Sequence, residues 1–316
     1  MKKLVAALSA ASLLFVAACG DDAAGEKSSE KVTFGYIADY NGTSLLAVAQ
    51  DQKLWAKQGL EVSTKVFTNG PLQVTAMNAG DLDYGYIGPG AVWLPASGKA
   101  KIVALNSLGN ADRVIARAGI TDLSQLKGKK VGVPEGTSGD MILTLALQKA
   151  GLKNSDIQRV PMDAATIVSA FGAGQIDAAG IWYPLLNNIK AKKPDLVELA
   201  KDADFADTMA FPTAFIGSNA AAGDAARTGK VLAVLHEAMA YRAAHPDETA
   251  QLVAALNKQP VDAVKADAAN SKMLDGSTDD ATAKKWLSGL GEYFVTAGKL
   301  PSNPDPATYY VGTAAK

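Results

Sequence analysis

Cysteine occurs once in the 316 residues, as Cys19, and histidine twice, as His236 and His245. One cysteine cannot build a disulfide framework or a thiolate zinc site, and two histidines cannot build a histidine-rich metal centre. Neither sign of charge is in excess, with 31 Lys plus Arg against 32 Asp plus Glu. The electrostatic signature of a nucleic-acid binder is therefore missing, and no nucleic-acid partner is expected. The one long apolar run, Leu4 to Ala18, is shorter than the roughly 20 residues of a membrane span. Neither Gly-x4-Gly-Lys-Ser/Thr nor a Gly-x-Gly-x-x-Gly after a strand occurs. Gly136-Thr137-Ser138-Gly139-Asp140 lacks the last glycine of a Gly-x-Ser-x-Gly elbow. No catalytic set assembles and no cofactor is expected. What is present, 48% hydrophobic and 20% charged residues, is the composition of a folded protein, and the length predicts about two domains.

Met1-Lys2-Lys3 ahead of that apolar run has the basic-then-apolar design of a secretory signal. The run ends Val16-Ala17-Ala18-Cys19-Gly20, which resembles the bacterial lipobox, whose cysteine becomes the lipidated first residue of the mature chain. The alternative is a small buried cysteine that happens to follow a signal. Residues 1–18 are thus expected to be a signal peptide. Residues 19–30, rich in Asp, Ala, Gly, Glu, Lys and Ser, cannot bury enough surface to fold and read as a tether. Acyl chains on Cys19 would hold the protein to a membrane surface outside the cytoplasm.

From Lys31 onward one unit occurs twice. Strand-like Val32–Ile37, Gly42-Thr43-Ser44, a helix closed by Gly59, strand-like Leu60–Phe67, a short helix from Pro71 and Ala79-Gly80-x-Leu82-Asp83 form the first copy. Strand-like Val131–Val133, Gly136-Thr137-Ser138, a helix to Lys149, a strand near Gln158–Pro161, a helix from Ala164 and Ala173-Gly174-x-Ile176-Asp177 form the second. Both matching motifs are offset by 94 residues. Such alternation makes parallel βαβ units, so two similar α/β lobes are expected, each a mostly parallel sheet flanked by helices. Asp112–Ala118 reads as the first crossing between lobes and Pro212–Gly217 as the return. Lobe one is then 31–114 with 216–316, and lobe two is 115–215. After the return only helices are expected, over Lys230–His245, Asp247–Leu256 and Thr278–Ala297, packed on lobe one, with an extended tail at Pro301–Pro306.

Ligands of open α/β sheets bind outside the carboxyl ends of the strands, here the turns Asp39–Ser44 and Glu135–Asp140. Both present Gly-Thr-Ser at a helix start, where unpaired N–H groups and the positive dipole end favour an anion. Plain N-capping is the competing role for Thr43, Ser44, Thr137 and Ser138. Asn69-Gly70-Pro71 starts another helix at the same edge. Asp39 and Asp140 stand beside the two turns, and Gly88 and the aromatics Tyr84, Tyr86, Trp93, Trp182 and Tyr183 follow the repeated Asp. Hydroxyls for an acidic end, with Asp39, Asp140 and Trp182 for an amine, suit a small zwitterion.

The lipobox, the two lobes and the motifs Leu123-x-x-Leu126-Lys127-Gly128-Lys129-Lys130-Val131-Gly132-Val133-Pro134 and Ala173-Gly174-x-Ile176-Asp177-Ala178 resemble the solute-binding proteins of ABC importers. The subgroup is that of sulfonate, nitrate and taurine binders, which includes binders of thiamine precursors. The resemblance implies a two-lobed type II periplasmic-binding-protein fold, a small ligand in the cleft, and a permease with its ATPase as partners. A member of the family can be a cytoplasmic enzyme of pyrimidine synthesis, but the signal and the lack of a histidine cluster argue against that here, and no enzymatic activity is expected. Tyr36-x-x-x-Tyr40-Asn41-Gly42 falls at one of the family's pocket turns, adding Tyr40 and Asn41 to the candidates. Acids at both turns depart from the sulfonate pattern and favour an amine-bearing ligand, taurine first. A guanidinium compound or a thiamine precursor remains the alternative, as does a sensor lipoprotein with the same pocket. The chain is expected to act as a monomer.

Overall fold

The computed structural model describes residues 29–312, so Cys19, the signal peptide and the tether up to residue 28 lie outside the described residues. The first half of lobe one runs β1 (Glu30–Ile37), α1 (Tyr40–Asp51), α2 (Leu54–Lys57), β2 (Leu60–Phe67), α3 (Gly70–Ala79), β3 (Tyr84–Ile87), α4 (Trp93–Ala96) and β4 (Lys101–Gly109). The second lobe follows as β5 (Asp112–Ala116), β6 (Lys130–Val133), α5 (Ser138–Lys149), β7 (Gln158–Pro161), α6 (Ala164–Gly172), β8 (Ala178–Trp182), α7 (Leu185–Lys190) and β9 (Val197–Lys201). The chain then returns through β10 (Pro212–Gly217), α8 (Asn219–Gly223), α9 (Ala225–Ala244), α10 (Pro246–Asn257), α11 (Val261–Ala268), β11 (Ser271–Met273) and α12 (Asp280–Thr296).

The strands form a six-stranded sheet, β11-β4-β10-β3-β1-β2, and a five-stranded sheet, β7-β6-β8-β5-β9. Their middles match: β2-β1-β3 and β7-β6-β8 are parallel, and each third strand has an antiparallel neighbour, β10 in one sheet and β5 in the other. The repeated motif explains this similarity. Gly80 and Gly174 both take φ near +80°, ending α3 and α6 in the left-handed region that glycine enters without penalty. The Asp three residues on then ties its strand to the first strand of the lobe. Asp83 accepts the Thr33 N–H at 2.8 Å, and Asp177 accepts the Lys130 N–H at 2.9 Å.

The expectation of mostly parallel sheets is corrected to mixed sheets, because strand–helix alternation covers only three strands in each lobe, β1–β3 and β6–β8. The crossing segments themselves are strands. Asp112–Ala116 is not a connection but β5, paired along its whole length with β8, and Pro212–Gly217 is β10, inserted between β3 and β4. The chain passes between sheets at residues 110–111 and again between β9 and β10. The C-terminal part also holds the short strand β11 and helices α8 and α11 where only three helices were expected. Helices α9 and α10 pack on α1. Beneath them Arg242 is buried and fixes three elements. It donates to Ser44 Oγ (2.9 Å), Asn106 Oδ1 (2.8 Å), and the carbonyls of Asn106 (3.0 Å) and Leu274 (2.9 Å).

Candidate functional site

A cavity of ≈ 40 Å³ opens between the two sheets. Its wall on lobe one comes from the ends of β1 and β3 and the turns after them, with Ile37, Asp39, Asn41, Tyr86 and Gly88. The N-terminus of α3 adds Asn69 and Gly70. Lobe two contributes Thr137 and Ser138 at the start of α5 and Trp182 and Tyr183 at the end of β8. The two crossings supply the floor, with Gly109, Ala111 and Asp112 on one and Thr213 on the other. No Lys, Arg or His is among these lining residues, whereas Asp39 and Asp112 both are.

Asp112 is the first residue of β5 and lies opposite Trp182 in the antiparallel register with β8, so both side chains stand on one side of the sheet. It is 3% exposed, and its Oδ1 has no hydrogen-bond partner among the described residues. A buried carboxylate oxygen without a donor costs more than one left in water, so a donor entering the cavity would stabilise it. Burial pushes the Asp112 carboxyl up to about 6, against the opposing pull of the Ser138 hydroxyl and Arg113. Asp202, whose carboxylate accepts the Asp112 N–H at 2.9 Å, is pushed well above the usual carboxylate range by burial and by Asp112.

Asp39 is the N-cap of α1, accepting the Gly42 N–H at 2.6 Å. Burial, and then the charge of Asp267, raise its carboxyl well above the ordinary value. Asp267, on α11, accepts the Tyr40 N–H at 2.7 Å and is itself raised by burial to about 6. The start of α1 is thus occupied by two of the protein's own carboxylates, which neutralise its dipole end and take N–H groups an anion would need.

The anion clamp expected from the paired Gly-Thr-Ser turns is not assembled at lobe one. Thr43 and Ser44 lie inside α1, fully buried and turned toward the C-terminal helices. Thr43 Oγ1 is 3.2 Å from Asn257 Oδ1, and Ser44 Oγ accepts from Arg242. Tyr40 is buried against α10 rather than in the cavity. Asp140 faces away from it too, tied to Arg159 at 2.7 Å and Lys299 at 3.5 Å and accepting the Gly136 N–H. Trp93 also lies outside the cavity, in the lobe contact, where its Nε1 donates to the Gly136 carbonyl at 3.2 Å. The structure brings Asp39, Asn41, Asn69, Gly70, Gly88, Thr137, Ser138, Trp182 and Tyr183 together. Sequence reasoning missed Asp112 and Thr213. The available signal was the start of an apolar strand at each lobe crossing, Asp112 before Arg113-Val114-Ile115 and Thr213 before Ala214-Phe215-Ile216.

The lobes touch closely beside the cavity. A Cβ on Gly90 of lobe one would lie 2.3 Å from the Thr137 carbonyl carbon and oxygen of lobe two, so this approach exists only for glycine. Gly90→Ala is expected to hold the lobes apart. In small-angle scattering the variant should fail to contract on ligand addition, with affinity falling at least tenfold; contraction equal to the wild type would refute this contact.

The raised carboxyls also set a pH dependence. Asp112 and Asp267 near 6 lie above the roughly 3.9 of an unfolded Asp. The native state therefore binds more protons between about pH 4 and 6, and stability falls as pH rises through that window, by at most about 1.4 kcal/mol per pH unit for each group. The empty protein should melt higher at pH 5 than at pH 7. Binding of a cation, which needs the ionised form, should weaken as pH drops below 6. A ligand affinity that is flat from pH 5 to 7.5 would contradict the assignment.

Two sheets closing on a cavity fed by both lobes define a two-lobed periplasmic-binding-protein fold. The alkanesulfonate-binding protein SsuA from Xanthomonas axonopodis pv. citri bound to MOPS superposes with a TM-score of 0.73 at 21% identity, covering 91% of this chain and 99% of that one. The chain belongs to the NMT1/THI5-like family, whose model matches residues 42–249. A Brucella abortus protein, described in general terms as a binding protein, is 52% identical over 286 residues, covering 89% of this chain and 90% of its own. The taurine-binding periplasmic protein of Escherichia coli is 29% identical over 147 residues, 45% of this chain and 46% of its own.

Proposed function

We propose that this protein is the extracytoplasmic ligand-capturing component of an ABC importer, closing its lobes on a small organic molecule that carries a cationic amine. The observation that carries the amine is the pairing of buried Asp39 and Asp112 across a cavity whose lining has no basic side chain. A buried carboxylate is stable in its charged form when a cation sits beside it. In a zwitterion such as taurine the amine would lie between these acids and the sulfonate toward Ser138 and Gly70 at the starts of α5 and α3. The absence of Lys and Arg from the lining favours a second class as well, a plain cation such as a guanidinium compound or a thiamine precursor. Capture proceeds by closure, because contacts from both lobes are available only when they meet. The names of the relatives support binding rather than turnover. Anchoring through acyl chains on Cys19 would keep the loaded protein near its permease and ATPase.

A thermal-shift screen of the soluble chain starting at Gly20 tests the amine. At about 100 times its dissociation constant a ligand adds roughly 2.7 kcal/mol, a readily seen shift. Taurine, guanidinium or simple amines should raise the melting temperature, while nitrate and ethanesulfonate should not. A shift with the anions alone would overturn the amine.

A further inference from the structure

The cavity between Asp39 and Asp112 is small. At ≈ 40 Å³ it has room for about three water molecules, enough for an ammonium or guanidinium head and little more. Next to it lies a second space of ≈ 270 Å³ that shares Ile37 and Trp182 as walls. Lobe one lines it with Val66 and Phe67 at the end of β2, and lobe two with Ala164, Pro184 and Leu185. The lining includes no charged side chain; its polar members are Thr68, Asn188 and Gln259. Val66 is 62% exposed, a large apolar residue standing in solvent at the rim of a cleft. Because the walls come from both lobes, the space is completed by the same closure that completes the cavity.

From this geometry we infer that the ligand is an amine with an uncharged apolar arm: the cationic head sits between Asp39 and Asp112, and the arm passes between Ile37 and Trp182 into the Val66–Leu185 groove. This rests on the amine-binding reading of the cavity and narrows its ligand class. Three observations support the arm as occupant. The groove shares the walls Ile37 and Trp182 with the cavity, it is several times larger, and it has no charge with which to hold a second ionic end. Burying apolar surface in it would supply affinity that a head of a few atoms cannot reach alone.

Isothermal titration calorimetry with methylamine, propylamine, butylamine, hexylamine and phenethylamine at pH 7.5, alongside taurine, tests the arm. Affinity should rise about two- to fourfold per methylene until the groove is filled, full burial of a methylene being worth about fourfold. The double variant Val66→Ser, Leu185→Ser changes one exposed and one partly buried side chain, and it should lower the ratio of hexylamine to methylamine affinity at least fivefold. If short amines bind but affinity is flat or falls with length, or if taurine binds more tightly than butylamine, the arm is wrong and the amine site stands. If no amine binds at all, the underlying reading fails.

Discussion

Changing Asp112 to Asn is expected to weaken the binding of a small amine about 10²-fold or more, while leaving the fold intact and raising the melting temperature of the empty protein at neutral pH, since the buried charge is gone. Removing one partner of a buried, hydrogen-bonded charge pair costs about 2–5 kcal/mol, because the other charge remains desolvated. Asn keeps the size of the side chain, so the loss reads charge and not volume. The unpartnered Asp112 Oδ1 makes this residue the sharper probe of the two acids. Asp39→Asn should give a loss of similar size with little helix penalty, since Asn caps a helix about as well as Asp. Asp140→Asn is the control: held by Arg159 and Lys299 outside the cavity, it should leave amine affinity within about twofold. An Asp140 effect equal to that of Asp112 would restore the assignment suggested by sequence and remove the one drawn from the cavity.

The largest effect on stability is expected at Arg242. It is 2% exposed and no carboxylate pairs with it; its two terminal nitrogens donate to four neutral acceptors on α1, β4 and the segment after β11, while its Nε has no partner among the described residues. Burial lowers it to about 10, still charged at neutral pH. Arg242→Met fills similar volume but strands the carbonyls of Asn106 and Leu274 and the Asn106 side chain. Each buried unsatisfied group costs about 1–3 kcal/mol, which makes a loss of about 4 kcal/mol the expected result, or on the order of 10 °C in Tm. Asn106 in turn donates to the Asn41 carbonyl at the cavity, so ligand affinity should suffer with it. Thermal and urea unfolding measure the first effect, and a loss under 1 kcal/mol would mean that the network carries little.

The repeat in the sequence was a true guide to the fold, and its motif explains why. Ala-Gly-x-Leu/Ile-Asp has a structural job in both lobes, ending a helix with Gly80 or Gly174 and pinning a strand through Asp83 or Asp177. Strand limits such as Leu60–Phe67 and Gln158–Pro161 followed from local pattern alone. The first Gly-Thr-Ser triplet misled about the site, while the second did not, because a turn motif fixes where a helix begins but not which way its residues face. In α1 the frame set by the Asp39 cap turns Thr43 and Ser44 inward to Asn257 and Arg242, partners about 200 residues away. Asp112 was invisible for a related reason. It stands at a lobe crossing, and its importance comes from its register opposite Trp182, a long-range pairing that no local pattern encodes. Asp267 belongs to a helix with a weak sequence signal, and only packing brings it to the α1 start.

Recognition of positive charge by this cleft is open to direct test. A direct measure is calorimetric titration of the wild-type protein with the matched pair butylamine and butanesulfonate, at pH 7.5 and low salt. Binding of butylamine with no measurable heat from butanesulfonate is the predicted result, and Asp112→Asn should abolish it. Tight binding of butanesulfonate, unchanged or strengthened in Asp112→Asn, would contradict the account and assign the cleft to anions.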